Sequence, residues 1–372
     1  MSRYRSSGVR AERGVGLMEV MISIVIGMLL VLVIYQVYEI SEGQKRTITS
    51  GSDALQNASY GLYAMGRDLS MAGNGIASTA TTLNDCPDLK PIPVLIESGG
   101  GPNLPDKITV LYGGSSSLST AVPFRSNAAG TQAYTVTGPV GFSAGDVIVA
   151  VQRPNCTIST INPGVIAVDP ATGFSTISRT VVPGQVDNSY TSGVAVLVNL
   201  GQPASMGRIV YTVERTDSTP GACPYVAGAE RPQCALRSQN LLPDPAAAAS
   251  PAPIINDVVN LKAQYGIDAN CNGVLSWQDP TGAWASNLVP AMDVACVPGT
   301  PGLRQIQAVR IAIVTRSAQY EKESVSPATL GLLCDTPTTC AATMALSDPD
   351  RHYRYKVLET AVPLRNALWN TQ

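Results

Sequence analysis

The stretch that decides the fold is Arg13-Gly14-Val15-Gly16-Leu17-Met18-Glu19, followed directly by Val20-Met21-Ile22-Ser23-Ile24-Val25-Ile26-Gly27-Met28-Leu29-Leu30-Val31-Leu32-Val33-Ile34. From Val20 to Tyr38 the chain has nineteen residues without a formal charge, close to the roughly 20 that a membrane-spanning helix needs. A charge in such a segment costs at least about 2.5 kcal/mol on insertion scales and usually marks a function. The stretch therefore predicts a membrane helix that begins with a functional carboxylate, Glu19.

The residues before this helix predict its orientation and its processing. They carry Arg3, Arg5, Arg10 and Arg13 against Glu12 alone, which predicts a cytoplasmic N-terminus and a periplasmic or external C-terminal body. An ordinary secretory signal is the alternative, but the apolar run is too long and no Ala-x-Ala-like cleavage site follows it. The candidate cleavage site lies before the run, after Gly14, where a missing Cβ lets a protease approach the backbone.

This arrangement resembles a type IV prepilin. The resemblance implies that a membrane prepilin peptidase removes residues 1–14, that Val15 becomes the N-methylated first residue, and that Glu19 is the fifth mature residue. The family usually has Phe at the first mature position and a larger or hydroxylated residue at the next. Val15 and Gly16 depart from that pattern.

The resemblance also gives Glu19 a partner, the terminal amine of a neighbouring subunit in the filament. A buried ion pair need not add net stability, but removing one partner leaves the other charge stranded. We therefore predict that Glu19 acts in subunit register and recruitment and not as a catalytic base. The alternative is a glutamate that is merely tolerated at the membrane interface.

The composition predicts one large head domain. Removing the leader leaves 21 basic and 26 acidic residues, a net charge of −5, which argues against sequence-independent nucleic-acid binding because such binding needs clustered cations. Gly and Pro total 60 of 372 residues, so the chain can bury a core but must contain many loops and turns.

The cysteines indicate an oxidising compartment such as the periplasm. All eight follow the apolar run, and they can pair in 105 ways. Short separations favour Cys223–Cys234, Cys334–Cys340 and Cys271–Cys296. The remaining two are Cys86 and Cys156. Zinc is the competing interpretation, but the chain has no Cys-x-x-Cys motif and a single histidine, which disfavours thiolate ligation of a metal.

Periodicity predicts an α+β fold, in which a long, partly transmembrane N-terminal helix packs on a β-rich, disulfide-bonded head. The helix is predicted over residues 15–76, with the membrane segment at about 20–38, because no proline occurs there and apolar residues recur at spacings of three and four. Gly51 is a candidate interruption, and Gly73 with Gly75 a candidate end. The head is predicted over residues 77–372, with a Pro/Ala loop at 241–253. Predicted strands are Lys107–Gly113, Asp146–Gln152, Val194–Leu200, Arg208–Arg215, Val259–Ile267 (half-buried), Gln307–Ser317 and Tyr353–Leu364.

Several later segments resemble the PilW-type minor pilins. They are Tyr63–Gly73, Val258–Asp268, Val309–Ser317 and the C-terminal Tyr353–Val357 with Leu364–Asn366, whereas residues from about 77 to 255 are individual to this chain. The resemblance implies a minor pilin that is anchored in the bacterial inner membrane with its head in the periplasm and then enters the pilus at its tip. Implied partners are the prepilin peptidase, other minor pilins, the major pilin, the inner-membrane assembly platform and a tip adhesin.

A loop after one predicted strand matches the spacing of a calcium site. In residues 268–279 the oxygens of Asp268, Asn270 and Asn272, the carbonyl of Val274, and the side chains of Ser276 and Asp279 fall at the ligating positions around Gly273. We therefore predict a Ca²⁺ site, isolated because a strand and not a helix precedes it. The alternative is an Asn/Gly-rich hairpin turn, which favours the same residue types.

Enzyme activity is not expected. His352 is the only histidine, and the usual nucleophile, zinc-protease and phosphate-loop motifs do not occur. A membrane-anchored periplasmic hydrolase remains the alternative from another class, because paired carboxylates leave no fixed spacing. The nearer alternative is a minor pseudopilin of a type II secretion system, which shares the leader, Glu19 and the long helix.

Overall fold

The fold is taken from a computed structural model of the chain. It describes residues 16–74, 92–114, 121–126, 130, 132–138, 141–152, 155–183, 185–217, 221–241, 251–289, 296–336 and 338–368. Helix α1 spans Leu17–Met71, and a short helix, α2, spans Arg365–Leu368. By contacts the chain divides into residues 1–50 and 51–372. The α+β class predicted from the sequence is confirmed.

Helix α1 runs without a break through Gly51, so the predicted interruption there is wrong. A single glycine costs a helix interior only about 1 kcal/mol, which does not break a helix of 55 residues. The helix ends where predicted, since Gly73 adopts a left-handed φ of 77° just beyond it, a conformation that favours glycine. Gly75 lies outside the described residues.

Seventeen strands follow in the described part of the chain, all paired antiparallel. Their bounds confirm each predicted strand to within two residues. They are β1 Val94–Glu97, β2 Lys107–Tyr112, β3 Val122–Ser126, β4 Ala133–Val136, β5 Val147–Gln152, β6 Asn155–Val168, β7 Ser175–Val181, β8 Val196–Gly201, β9 Gly207–Arg215, β10 Cys234–Asn240, β11 Ala252–Asn256, β12 Val258–Ile267, β13 Ser276–Gln278, β14 Ile306–Arg316, β15 Thr329–Thr336, β16 Thr339–Ala345 and β17 Tyr355–Pro363.

Two sheets and a hairpin form the main body of the head. The five-stranded sheet has the order β1-β2-β9-β10-β11, the four-stranded sheet has the order β13-β12-β14-β17, and β15-β16 is a separate hairpin. Their apolar side chains share one core with the second half of α1, which contributes Met65 and Leu69. The hairpin covers the other side of the four-stranded sheet through Leu332 and Met344.

The sequence did not predict that β3, β4, β7, β6, β5 and β8 close into a barrel. The barrel is inserted between β2 and β9, which pair directly with each other, Tyr112 opposite Gly207. Its interior has its own aromatic cluster, with the ring centroid of Phe124 4.8 Å from that of Tyr134 and 5.6 Å from that of Tyr190. Closure removes the exposed edges that an open sheet would present.

Two sequence expectations need correction. Strand β12 is buried at every position, although alternation predicted a half-buried strand. The five-stranded sheet and α1 share the core on one side of its sheet, and the hairpin packs on the other side. The predicted loop at 241–253 ends early, since Ala252 and Pro253 already pair with β10. Residues 242–250 lie outside the described residues.

Three predicted disulfides are confirmed. Cys223–Cys234, Cys271–Cys296 and Cys334–Cys340 are bonded. Cys156 is also disulfide-bonded, and Cys86 lies outside the described residues. A Cβ at Gly331 would lie 2.5 Å from the Cys340 sulfur, so glycine is required where β15 passes the hairpin disulfide.

Candidate assembly interface

The first half of α1 is the only described helix that is long and apolar enough to cross a membrane. None of its most apolar window is buried against the protein, and large apolar side chains from Leu17 to Ile40 are exposed, most of them by more than half. Burying one such side chain contributes about 1.5–3 kcal/mol. This surface therefore needs lipid or other protein chains around it.

Glu19 lies in the first turn of α1 and is exposed. Its main-chain N–H donates to the Gly16 carbonyl over 2.9 Å, and its own carbonyl accepts the Ser23 hydroxyl over 2.7 Å. A carboxylate near a helix N-terminus is favoured by the helix dipole. Its side chain has no ion-pair partner among the described residues. Gly14 and Val15, the predicted processing site, lie outside those residues.

The second half of α1 is fixed to the head by polar contacts as well as by packing. The buried Asp68 carboxylate accepts the Tyr211 hydroxyl over 2.7 Å, and its other oxygen forms an ion pair with Arg67. Burial, and then the nearby Asp68 charge, raise the pKa of Tyr211, so the hydroxyl keeps its proton and remains a donor. This contact connects the helix to β9.

Two further contacts fix the ends of this packed half. Thr315 on β14 donates its hydroxyl to the Ala54 carbonyl over 3.0 Å. Asn366 donates to the Met71 and Ala72 carbonyls, each over 3.2 Å, and so satisfies acceptors that a helix end leaves unpaired. A Cβ at Gly61 would lie 2.7 Å from a methyl group of Ile255, so glycine permits close approach of helix and sheet.

The structure brings together the first part of the predicted calcium loop as a hydrogen-bonded turn. The Asp268 carboxylate accepts the N–H groups of Asn272 and Gly273 over 3.0 and 2.7 Å and the Gln307 amide over 3.2 Å. The Asn272 side chain accepts the Val274 N–H over 3.1 Å. These contacts are those of the alternative interpretation, a turn that closes the β12–β13 hairpin.

Asp279, the predicted ligand at position twelve, is not brought to this turn. β13 pairs with β12 so that Gln278 lies opposite Tyr265 and Ser276 opposite Ile267, and the Ser276 hydroxyl donates to the Ile267 carbonyl. Asp279 instead accepts the Gln264 amide over 2.8 Å, four residues or about 13 Å along the strand from Asp268. No cluster of three His, Cys, Asp or Glu side chains occurs in the described part of the chain.

In this structure Asp279 does not join the other five predicted ligands. Calcium binding by Asp268, Asn270, Asn272, Val274, Ser276 and Asp279 stays a prediction. Melting of the native chain and of Asn270→Ala, each with and without added calcium, would test it. A stabilisation by calcium that both chains share would place any ion elsewhere.

The single histidine has a structural environment. The His352 ring stacks on Tyr320 at 4.9 Å between centroids, and its Nδ1 lies 2.9 Å from the Glu321 carbonyl oxygen. Both contacts are to neighbouring surface segments of the head. No catalytic role follows from them.

These features define a protein class: a membrane-length N-terminal helix followed by a strand-rich head stabilised by disulfides. Residues 210–366 match the family model described as Type IV Pilus-assembly protein W, PilW. The match confirms the resemblance drawn from the sequence and supports a type IV pilus-related protein. PilW is a structural and not an enzymatic family. The match covers β10–β17 and residues 210–215 of β9, and it leaves the barrel outside. No curated protein and no solved structure matches the chain.

Proposed function

We propose that the chain is a minor pilin, a structural subunit that helps to initiate assembly of the type IV pilus within a complex at its tip. The observation that carries the proposal is the combination of an exposed membrane-length helix, with Glu19 in its first turn, and a head that matches PilW. The protein enters the inner membrane with its head in the periplasm. Prepilin peptidase then cuts between Gly14 and Val15.

The apolar half of α1 serves two successive environments in this proposal. Before assembly its exposed side chains lie in lipid, and after extraction they pack against the helices of the major pilin and other minor pilins. Both environments bury the same surface. The helix can therefore exchange one for the other at little net cost in hydrophobic free energy.

Glu19 selects the position of the next subunit. Cleavage creates a cationic amine at Val15, and a carboxylate in an apolar surrounding needs such a charge nearby. Pairing between Glu19 of one subunit and the amine of its neighbour fixes the axial register of two otherwise featureless apolar helices. An unpaired Glu19 would remain a buried charge, which disfavours wrong registers.

The size of the head supports a place for the subunit at the tip in small number. The head has about 300 residues and includes an inserted barrel, and a large head is better accommodated at the end of a filament than in each repeat. The proposed partners are the assembly platform, other minor pilins and a tip adhesin.

The N-terminus of the native protein tests the processing step. Mass spectrometry of protein purified from its own cells should show a chain that begins at N-methylated Val15. A chain that begins at Met1, or one cut beyond Tyr38, would contradict the proposal that the protein is a pilin.

Filament counts test the assembly role. A deletion strain should lose surface pili, and the native gene and Glu39→Gln should restore them, whereas Glu19→Gln should not. Glu39 is a matched control because it is an exposed acid on the same helix. Unchanged pili with loss of protein secretion would instead support a type II secretion pseudopilin.

A further inference from the structure

A cleft of about 480 Å³ lies beside the β15–β16 hairpin. One wall is strand β16, and the others are the segment Ser98–Asp106, the β12 residues Lys262 and Ala263, and the segment Asp279–Thr281. Its volume falls within the range of ligand sites in proteins. Nothing in the proposed assembly role uses it.

The β16 wall presents main-chain groups that lack a strand partner. Leu346 donates its N–H to the Ala328 carbonyl over 2.9 Å. In an antiparallel pair, residues whose main-chain groups bond to the partner strand alternate with residues whose groups face outward. The N–H and C=O groups of Ala345, Thr343 and Ala341 therefore point away from β15. At Ala345 these groups are satisfied by Asn103 and Arg231. Those of Thr343 and Ala341 are exposed at the cleft and have no main-chain partner among the described residues.

The opposite wall is held rigidly by buried polar contacts. The Lys262 ammonium donates to the carbonyls of Gly101 and Leu104, over 3.1 and 3.2 Å, and to the Asp106 carboxylate over 2.5 Å. Asn260 donates to the Pro102 carbonyl over 2.9 Å. The wall therefore does not need to be ordered when something enters the cleft, which lowers the entropic cost of binding.

The charge that remains unpaired in the cleft is the negative charge of Asp279. Lys262 is neutralised by Asp106 and has used all three of its donors. Asp279 is exposed, accepts one amide from Gln264, and forms no ion pair among the described residues. Asp279 therefore favours a cationic group in whatever binds.

One residue that lines the cleft has an unusual backbone conformation. Leu333 lines the cleft with a φ of 56°, in the left-handed region that leucine rarely adopts, and its N–H is held by Glu359 over 2.5 Å. Such conformations persist where the surroundings impose them and concentrate at ligand sites.

We propose that this cleft binds an extended peptide segment that adds a strand to β16 and places a lysine or arginine at Asp279. Main-chain N–H and C=O groups in a row are satisfied best by another extended main chain, and the carboxylate supplies the preference for a cation. That the segment comes from another pilus subunit rests on the proposed function. The binding chemistry itself does not.

Thr343→Pro is the sharpest variant. Proline removes the N–H that points into the cleft, and it leaves intact the hydrogen bonds between β15 and β16, because an edge position tolerates proline when its N–H faces outward. Thr343→Val is the matched control, since it keeps the N–H and suits a strand. Melting and disulfide content of both variants check that the hairpin is intact.

The probe is the peptide acetyl-Val-Thr-Lys-Thr-Val-amide, with a twin in which Glu replaces Lys. Hydrogen exchange of the full chain in detergent micelles should slow at Ala341 and Thr343 when the lysine peptide is added at millimolar concentration. Thr343→Pro should weaken binding about tenfold, as expected for the loss of one hydrogen bond and some strand pairing. Thr343→Val should bind normally, and Asp279→Asn should remove the preference for the lysine peptide over its twin.

Unchanged exchange at Ala341 and Thr343, or equal binding by native chain and Thr343→Pro, would overturn the proposal. Neither result affects the filament counts, so the peptide-binding proposal can fail while the minor-pilin proposal stands. Conversely, a chain that binds the peptide normally but does not restore pili would contradict the minor-pilin proposal alone.

Discussion

The four-stranded sheet and the inserted barrel are both antiparallel, but they solve the problem of burial differently. In the sheet, β12 and β14 are buried on both faces, because the five-stranded sheet and α1 cover one face and the β15–β16 hairpin covers the other. The barrel closes on itself and fills its interior with its own aromatic side chains. The sheet therefore depends on α1 and on neighbouring parts of the head, whereas most of the barrel core does not.

The position of the barrel shows why such an insertion is tolerated. The chain enters the barrel after β2 and leaves it before β9, and these two strands pair directly with each other. The PilW match begins only after the barrel. One apolar connection crosses the junction: Leu111 on β2 packs into a barrel-side cluster with Met206 and Leu200. The comparison predicts two cores that respond separately to mutation.

The largest expected effect is in the barrel interior. Phe124→Ala should cost about 3–5 kcal/mol, the usual loss for truncating a buried aromatic side chain, because Phe124 is fully buried against Tyr134 and Tyr190. Hydrogen exchange should accelerate in β3–β8 and remain slow in β12 and β14. Equal acceleration in both regions would show that barrel and sheet form a single cooperative core.

Removing the barrel should have a smaller effect on the rest of the head. We expect that replacing residues 115–204 with a short Gly/Ser turn leaves a folded head, because Tyr112 and Gly207 already pair. The cost should be about 2 kcal/mol, the value of the Leu111 burial that is lost. Cys86→Ser is included because excision removes Cys156 and would otherwise leave an odd number of cysteines.

Thermal melting and mapping of the three described disulfides are the measurements for this excision. Introducing Leu111→Thr into the excised chain is a matched control, since it should restore solubility with little further change in melting. A head that no longer forms Cys271–Cys296 and Cys334–Cys340 would show that the sheet depends on the barrel.

Sequence reasoning succeeded where the signal is local. The apolar run and the absence of proline predicted α1, and short apolar runs between turn residues predicted β2, β5 and β14. The three disulfides followed from short separations along the chain. The mature N-terminus at Gly14 and Val15 stays a prediction.

It failed where tertiary pairing decides. Closure of the barrel joins β3 to β8, whose pairs such as Val122 and Leu197 lie far apart in sequence, and no local pattern records this. Spacing alone also placed Asp279 beside Asp268, because it could not show that β13 would fold back along β12. The free edge of β16 was missed for the same reason.

A smaller loss of stability is expected where α1 contacts Tyr211, in the part of the head that matches PilW. Tyr211→Phe removes the buried hydrogen bond to Asp68 and should cost about 1.5 kcal/mol, at the lower end for a bond to a charged group because Arg67 still pairs with the carboxylate. Urea unfolding measures the loss. Tyr63→Phe, at an exposed position of the same helix, should leave the free energy of unfolding unchanged. An equal loss in both variants would show that the hydrogen bond between Tyr211 and Asp68 does not stabilise the packing of the helix on the head.

The smallest effect is expected at the turn that closes β12 and β13, where a carboxylate and not apolar packing holds the chain. Desolvation of Asp268 opposes its ionisation, but the N–H groups of Gly273 and Asn272 outweigh it and lower the pKa below its ordinary value of 3.8. Because the folded state binds the proton more weakly than the unfolded state, this stabilisation is fully present above pH 3.8 and is lost as the pH falls through the lower folded pKa. Asp268→Asn should therefore be slightly less stable than the native chain at pH 7 and equal to it at low pH. Urea unfolding between pH 2 and pH 7 measures the two curves, and curves that stay parallel throughout would show that the turn gains nothing from the ionised carboxylate.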